Sequence, residues 1–308
     1  MSAHDAKRTI LVTGVNGQLG YELARTLQGL GNVVAVDRSR LDLSNLDQIR
    51  AVVRDLRPAL IVNPAAYTAV DKAEEERDLA MRINGEAPGV LAEEAKKLGA
   101  ALIHYSTDYV FNGTKEGAYV EDDPTDPQNV YGRSKLAGEQ AIAASGVNHL
   151  VLRTSWVYGT RGKNFLLTML RLGADRPELK VVADQFGAPT WCNTIATLSA
   201  HLCAQSFATE DGAKWWDERS GIYHLCAGDS TSWHGFASAI FELADLPNRP
   251  NTLPIPAADY PTPAKRPANS RMSNDKLARV FGLAAPHWRD ALKLCLTDGF
   301  PKSPAART

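Results

Sequence analysis

The sequence predicts an α/β fold: a doubly wound parallel sheet with a smaller C-terminal region. Three observations carry that expectation. Short apolar, β-branched runs recur between residues 9 and 153 and alternate with helical patterns, as crossover helices on a parallel sheet require. The first run opens into a glycine-rich turn followed by a helical pattern. Past residue 154 the rhythm changes to shorter helices, Trp215-Trp216 and a proline-rich stretch from Pro254 to Pro267.

The totals narrow the setting. The 308 residues are 44% apolar and 22% charged, with a formal net charge of -1, ordinary for a soluble globular protein. That charge gives no electrostatic footprint for nucleic acid, so no nucleic-acid partner is expected. No apolar stretch is long enough for a membrane span, and Met1 to Arg8 lacks the apolar core of a secretory signal. A cytoplasmic protein with no membrane partner is expected. Cys192, Cys203, Cys226 and Cys295 are dispersed, and no histidine joins them at ligand spacing. They read as small apolar fillers of a reduced protein, and no metal site is expected.

Thr9 to Thr13 reads as a strand buried on both faces. Gly14, Gly17 and Gly20 follow it, and Leu19, Leu23, Leu27 and Leu30 mark one helical face. Strand, glycine turn and helix together point backbone N–H groups and a helix dipole at a pyrophosphate. Residues 1–154 therefore read as a dinucleotide-binding domain, joined by return segments of the later chain. Residues 155–308 read mainly as a substrate-binding domain. Asn32 to Val36 is the second strand and ends at Asp37, where an acidic residue would receive the ribose hydroxyls of NADH. Arg38 beside it would instead pair with the 2′-phosphate of NADPH, so both cofactors stay open. Ser44 is expected to cap the next helix. Asp42 reads equally as an adenine contact or a solvated loop residue.

Ala59 to Asn63 is another buried strand, and the small residues after it admit a flat ligand. Asp71 to Asp78 is charge-rich and reads as a solvated helix face. Ala101 to Tyr105 is the next strand, with Thr107 and Asp108 beyond its end, where catalytic groups of an open parallel sheet belong. Thr107 reads as a donor to a substrate carbonyl or as a hydroxyl satisfying loop backbone. Asp108 reads as a contact to a sugar hydroxyl. Asn129 to Glu139 then places Tyr131 and Lys135 one helical turn apart on one face. A fixed ammonium beside a phenol favours the phenolate, and the pair suits proton transfer to a carbonyl oxygen as a hydride reaches its carbon. Leu150 to Arg153 reads as a sixth strand. Trp156 beyond it reads as core packing or as a stacking surface for a ring.

The motifs T-G-x-x-G-x-x-G, S-T-D-Y-V-F, Y-G-x-x-K and R-T-S-W-V-Y-G stand in this order. With them the chain resembles the extended short-chain dehydrogenase/reductases, a Rossmann-type family. Val62 to Ala73, Asp184 to Thr190 and Tyr260 to Arg271 extend the likeness, more narrowly, to the dTDP-4-dehydrorhamnose reductases. The resemblance implies a catalytic Thr107, Tyr131 and Lys135. It implies cofactor contacts from Gly14, Gly17, Gln18, Leu19, Asp37, Asp42, Leu43, Ala66, Tyr67, Thr68, Tyr131 and Lys135. It further implies nucleotide-sugar contacts from Thr107, Asp108 and Trp156, and a phosphate contact from Arg266. The implied activity is reduction of a nucleotide-sugar ketone by NADPH or NADH. Some members are described as magnesium-bridged dimers. Glu22 matches one of their positions, but Asn193 and Arg289 stand at others, so a monomer or metal-free homodimer is expected. Two other readings share the scaffold: another nucleotide-sugar reductase or epimerase, and a non-catalytic regulatory subunit of methionine adenosyltransferase.

Overall fold

Six parallel strands form the central sheet. In spatial order they are Gly221–His224, β5 (His149–Thr154), β4 (Ala101–Thr107), β3 (Leu60–Asn63), β1 (Thr9–Val12) and β2 (Asn32–Ala35). The computed structural model describes residues 8–246 and 249–299. The opening segment read above for a secretory signal lies, except for Arg8, outside them. From β1 the chain steps out to β2, then crosses back to lay down β3, β4 and β5 on the other side. The order reverses between β1 and β3, and ligands of open α/β sheets sit outside the strand ends at such a point.

Both faces of the sheet are covered, which explains its nearly unbroken apolar runs. Ile10, Val12, Leu60, Val62, Ile103 and Leu152 face one layer. That layer includes Leu23 from the Gln18–Thr26 helix and Ile195 and Leu202 from the Cys192–Ala208 helix. Leu11, Ile61, Leu102 and Val151 face the other, with Ile49, Leu91 and Ile142. Adjacent residues of one strand thus point to opposite layers, as strand geometry dictates. A further apolar cluster gathers Tyr158, Leu166, Trp191, Phe236 and Leu292 from the later chain.

Several expectations are revised. Leu150 to Arg153 belongs to the fifth strand of the central sheet, and the sheet's sixth strand in chain order is Gly221–His224. The strand read as ending at Tyr105 continues to Thr107, because Ser106 and Thr107 still pair with Arg153 and Thr154 of β5. Trp215 and Trp216, taken as marks of a separate region, are buried against the central sheet. The proline-rich stretch begins inside a strand, Asn251–Ile255, paired in parallel with Glu178–Val182. All four cysteines are buried and unbridged. Among the described residues no helix is long and apolar enough to cross a membrane.

The Val130–Ser145 helix is fastened to the sheet by a buried ion pair. Arg153 of β5 donates Nε to Glu139 Oε1 at 3.0 Å and Nη2 to Oε2 at 2.7 Å, with side chains 2% and 1% exposed. Removing one partner leaves an uncompensated buried charge. Glu139→Ala should therefore lower stability by about 3–5 kcal/mol in urea unfolding. The double replacement by apolar residues, Glu139→Leu with Arg153→Met, should be the more stable of the two.

Candidate active site

The start of the Val130–Ser145 helix is fixed from three sides. Asn129 caps it, accepting the Gly132 N–H at 2.8 Å, and its own Nδ2 donates to the Lys265 carbonyl at 2.8 Å. The Val130 N–H donates to Glu74 Oε1 at 2.8 Å. Gly132 lies so close to the chain leaving β4 that a Cβ there would stand 2.2 Å from the Tyr109 carbonyl oxygen. The close approach brings Tyr131 beside Thr107 and Asp108. The Tyr109 ring meets the Tyr131 ring edge-on at 5.5 Å.

Lys135, 2% exposed, donates Nζ to the Tyr105 carbonyl at 2.6 Å and lies 3.1 Å from His104 Nε2. Burial pulls its pKa down to about 8, against the opposing pull of Glu139. The phenol differs from the sequence expectation. Tyr131 is raised above the ordinary tyrosine value, by burial first and the Asp108 carboxylate second, while Thr107's hydroxyl works the other way. The reason is geometric: Lys135 turns its ammonium to β4. Thr107 donates Oγ1–H to Asp108 Oδ1 at 3.0 Å and accepts the Tyr109 N–H at 3.2 Å. Asp108 is 2% exposed, and burial pushes its pKa up to about 6.

These groups share one cleft of about 830 Å³ with the glycine turn. Gly14 has φ +60°, and a Cβ there would come 2.9 Å from Ala65 Cβ. The Gln18–Thr26 helix begins without a side-chain cap, leaving first-turn N–H groups for an anion. A cradle that only glycine can form, beside an uncapped helix start, fits a dinucleotide pyrophosphate. Gly14, Gly17, Gln18, Leu19, Asp42, Leu43, Ala66, Tyr67, Thr68, Thr107, Asp108, Tyr131, Lys135, Trp156 and Arg266 all line this cleft. Asp37 does not: its carboxylate accepts the Ser39 N–H and hydroxyl and the Asn16 amide. Arg38 lines the cleft and pairs with Asp42 at 3.1 Å. Ser44 donates to Asp42, and the helix cap expected of it falls to Asn45.

Trp233 and Asn84 were not singled out by the sequence. Trp156, at φ +47°, stacks its indole on Trp233 with centroids 3.5 Å apart, and both line the cleft. Asn84, in a π-helical turn at Arg82–Glu86, exchanges hydrogen bonds with the Tyr67 backbone at 2.8 and 2.9 Å and donates to Ser134 at 3.0 Å. It joins the loop after β3 to the helix of Tyr131. The acidic run read as a solvated face is put to use here. Asp71 accepts from Arg266 at 2.7 Å, and Glu76 accepts the Tyr67 hydroxyl at 2.7 Å. Arg266 also donates to the Tyr109 hydroxyl at 3.0 Å. Elsewhere, Asn193 donates to Glu22 at 3.0 Å and Arg289 pairs with Glu242. Among the described residues no group of three or more His, Cys, Asp or Glu could hold a metal.

The fold is that of the extended short-chain dehydrogenase/reductases. Residues 8–300 match the family described as RmlD substrate binding domain. The chain is 50% identical over 297 residues to the dTDP-4-dehydrorhamnose reductase of Burkholderia thailandensis, covering 94% of this chain and 98% of that one. It is 44% identical to the Escherichia coli enzyme of that name, with the same coverage. The crystal structure of dTDP-4-dehydrorhamnose reductase from Bacillus anthracis in complex with NADP superimposes with a TM-score of 0.87. It is 36% identical, covering 95% of this chain and 99% of that one. The chain belongs to the dTDP-4-dehydrorhamnose reductase family and is an enzyme; the reading as a non-catalytic regulator gives way to these matches.

Gly132→Ala tests the site's construction. The added Cβ must push the helix start off the Tyr109 carbonyl. A displacement near 1 Å should cost about 100-fold in turnover. Reductase kinetics read beside the melting curve should show the loss in a protein that still folds.

Proposed function

We propose that this protein reduces the C4 ketone of dTDP-4-dehydro-β-L-rhamnose to dTDP-β-L-rhamnose, with NADPH or NADH as reductant. The observation that carries the reading is the meeting of Thr107, Asp108 and Tyr131, with Lys135 beneath them, in the cleft that holds the glycine turn. The bound reduced nicotinamide supplies the hydride to C4. Tyr131 gives its hydroxyl proton to the carbonyl oxygen. Its raised pKa keeps it protonated at neutral pH, which suits an acid in the reducing direction. Thr107 orients the ketone. Lys135, with two of its three N–H directions taken by β4, offers the third to the nicotinamide ribose. Trp156 and Asp108 contact the nucleotide-sugar, and Arg266 faces its diphosphate. Names and near-complete coverage of the relatives support this substrate over other nucleotide-sugar ketones.

Loss of NAD(P)H absorbance, with substrate made in situ from dTDP-glucose, measures the activity. Tyr131→Phe should still bind cofactor, but lose at least about 100-fold in turnover; near-full activity would remove the assignment. The pH profile gives a separate check. Lys135 is charged below about pH 8 and neutral above it, so turnover should fall as pH rises through that value. A rate that keeps rising well past it would exclude a charged Lys135 as the working form.

A further inference from the structure

A line of buried polar side chains leads away from the active site, and the proposed reaction does not use it. It begins where Lys135 Nζ lies 3.1 Å from His104 Nε2. On the far side of the ring, Nδ1 is 3.0 Å from Asn63 Nδ2. The other amide atom of Asn63 is 2.6 Å from Thr13 Oγ1, which accepts the Ala65 N–H at 3.3 Å. The line crosses from β4 through β3 to the residue that follows β1, directly before the glycine turn. Thr13, Asn63 and His104 are each at most 1% exposed. Water cannot complete their hydrogen bonds, so at each of these contacts a donor must face an acceptor.

That requirement leaves two arrangements. An ammonium only donates, so beside a charged Lys135 the Nε2 atom must accept. The imidazole proton is then on Nδ1 and needs the Asn63 carbonyl oxygen, while the Asn63 NH₂ donates to Thr13. In the reverse direction Thr13 donates to the Asn63 oxygen and the Asn63 NH₂ donates to Nδ1. The proton now on Nε2 faces Lys135, which accepts it only as a neutral amine. The two differ by one proton on Lys135, the imidazole tautomer and a half-turn of one amide; the structure holds the amide in the second, with Thr13 Oγ1 donating to Asn63 Oδ1 and Asn63 Nδ2 facing Nδ1. A doubly protonated ring has no place in either, and burial beside Lys135 holds His104 well below the ordinary histidine pKa.

We propose that His104 is a positioning residue for the reduction: through Asn63 and Thr13 it forms a reversible hydrogen-bond chain that satisfies Lys135 both as ammonium and as amine. The inference rests on the catalytic reading of Lys135. The surrounding charges leave this task to neutral groups. Glu139, one turn along the same helix, is paired with Arg153 of β5. Asp108 and Tyr131 lie toward the cleft. On β4 the partners of the ammonium are the Tyr105 carbonyl and the His104 ring. In both states a donor faces an acceptor at every contact from Lys135 to Thr13, so the lysine can give up or regain its proton without setting two donors against each other.

Nitrogen-15 NMR of the full-length protein tests this without substrate. Below the titration of Lys135 the His104 proton should sit on Nδ1, and it should move to Nε2 as pH passes about 8. One tautomer throughout, or an imidazolium forming near the ordinary histidine pKa, would overturn the proposal while leaving the assigned reaction untouched. Absence of turnover in the unaltered enzyme would instead strike the reaction and leave the tautomer result standing. His104→Phe should move the basic limb of kcat to lower pH by about one unit, since the charge-assisted bond lost by the ammonium outweighs the neutral one lost by the amine. The KM for the sugar should change little, and His104→Gln should restore most of the limb. A folded His104→Phe enzyme with an unmoved limb would also overturn it.

Discussion

A buried ammonium held by a strand end is the constraint on which the rest of this active site depends. Lys135 is almost without solvent, so its charge needs acceptors from the protein itself. The Tyr105 carbonyl of β4 supplies one. The helix must in turn approach β4 closely, so glycine stands at position 132 and Arg153 grips Glu139 from β5. Tyr131, one turn earlier, is carried into place by the same approach. Lysine, phenol and threonine are thus one packing solution.

The phenol illustrates how an expected effect was outweighed. A nearby cation was expected to favour the phenolate. Burial and Asp108 act in the opposite direction, and the ammonium turns to β4. A phenol that holds its proton is in the form that reducing a ketone requires, and its raised pKa makes it a weaker proton donor than an ordinary phenol. Thr107 and Asp108 add a second consequence. Thr107's only proton is directed to a carboxylate that burial has made easier to protonate, so the state of Asp108 governs what Thr107 offers a substrate.

What was legible in the sequence was what depends on local pattern. Apolar runs placed the strands of the sheet from β1 to β5, the glycine turn marked the switch point, and Tyr131–Lys135 spacing put both on one helix face. What was hidden depends on partners distant in the chain. The strand Gly221–His224 takes its place in the sheet by pairing with β5, far back along the chain. Trp233 joins Trp156 only through tertiary packing. Asp71, Glu74 and Glu76 looked like a solvated run because their partners Arg266, Val130 and Tyr67 lie up to 195 positions away. Asn129 could have been found: a cap residue directly precedes the catalytic helix.

The central claim is that this cleft delivers a hydride to one carbon of one sugar while Tyr131 protonates its oxygen. Incubating the enzyme with 4-deuterated NADPH and dTDP-4-dehydrorhamnose, then reading the product by proton NMR, addresses it directly. The account predicts dTDP-rhamnose with deuterium at C4 of the sugar and nowhere else. Product without deuterium at C4, or oxidised cofactor with no reduced sugar, would contradict it.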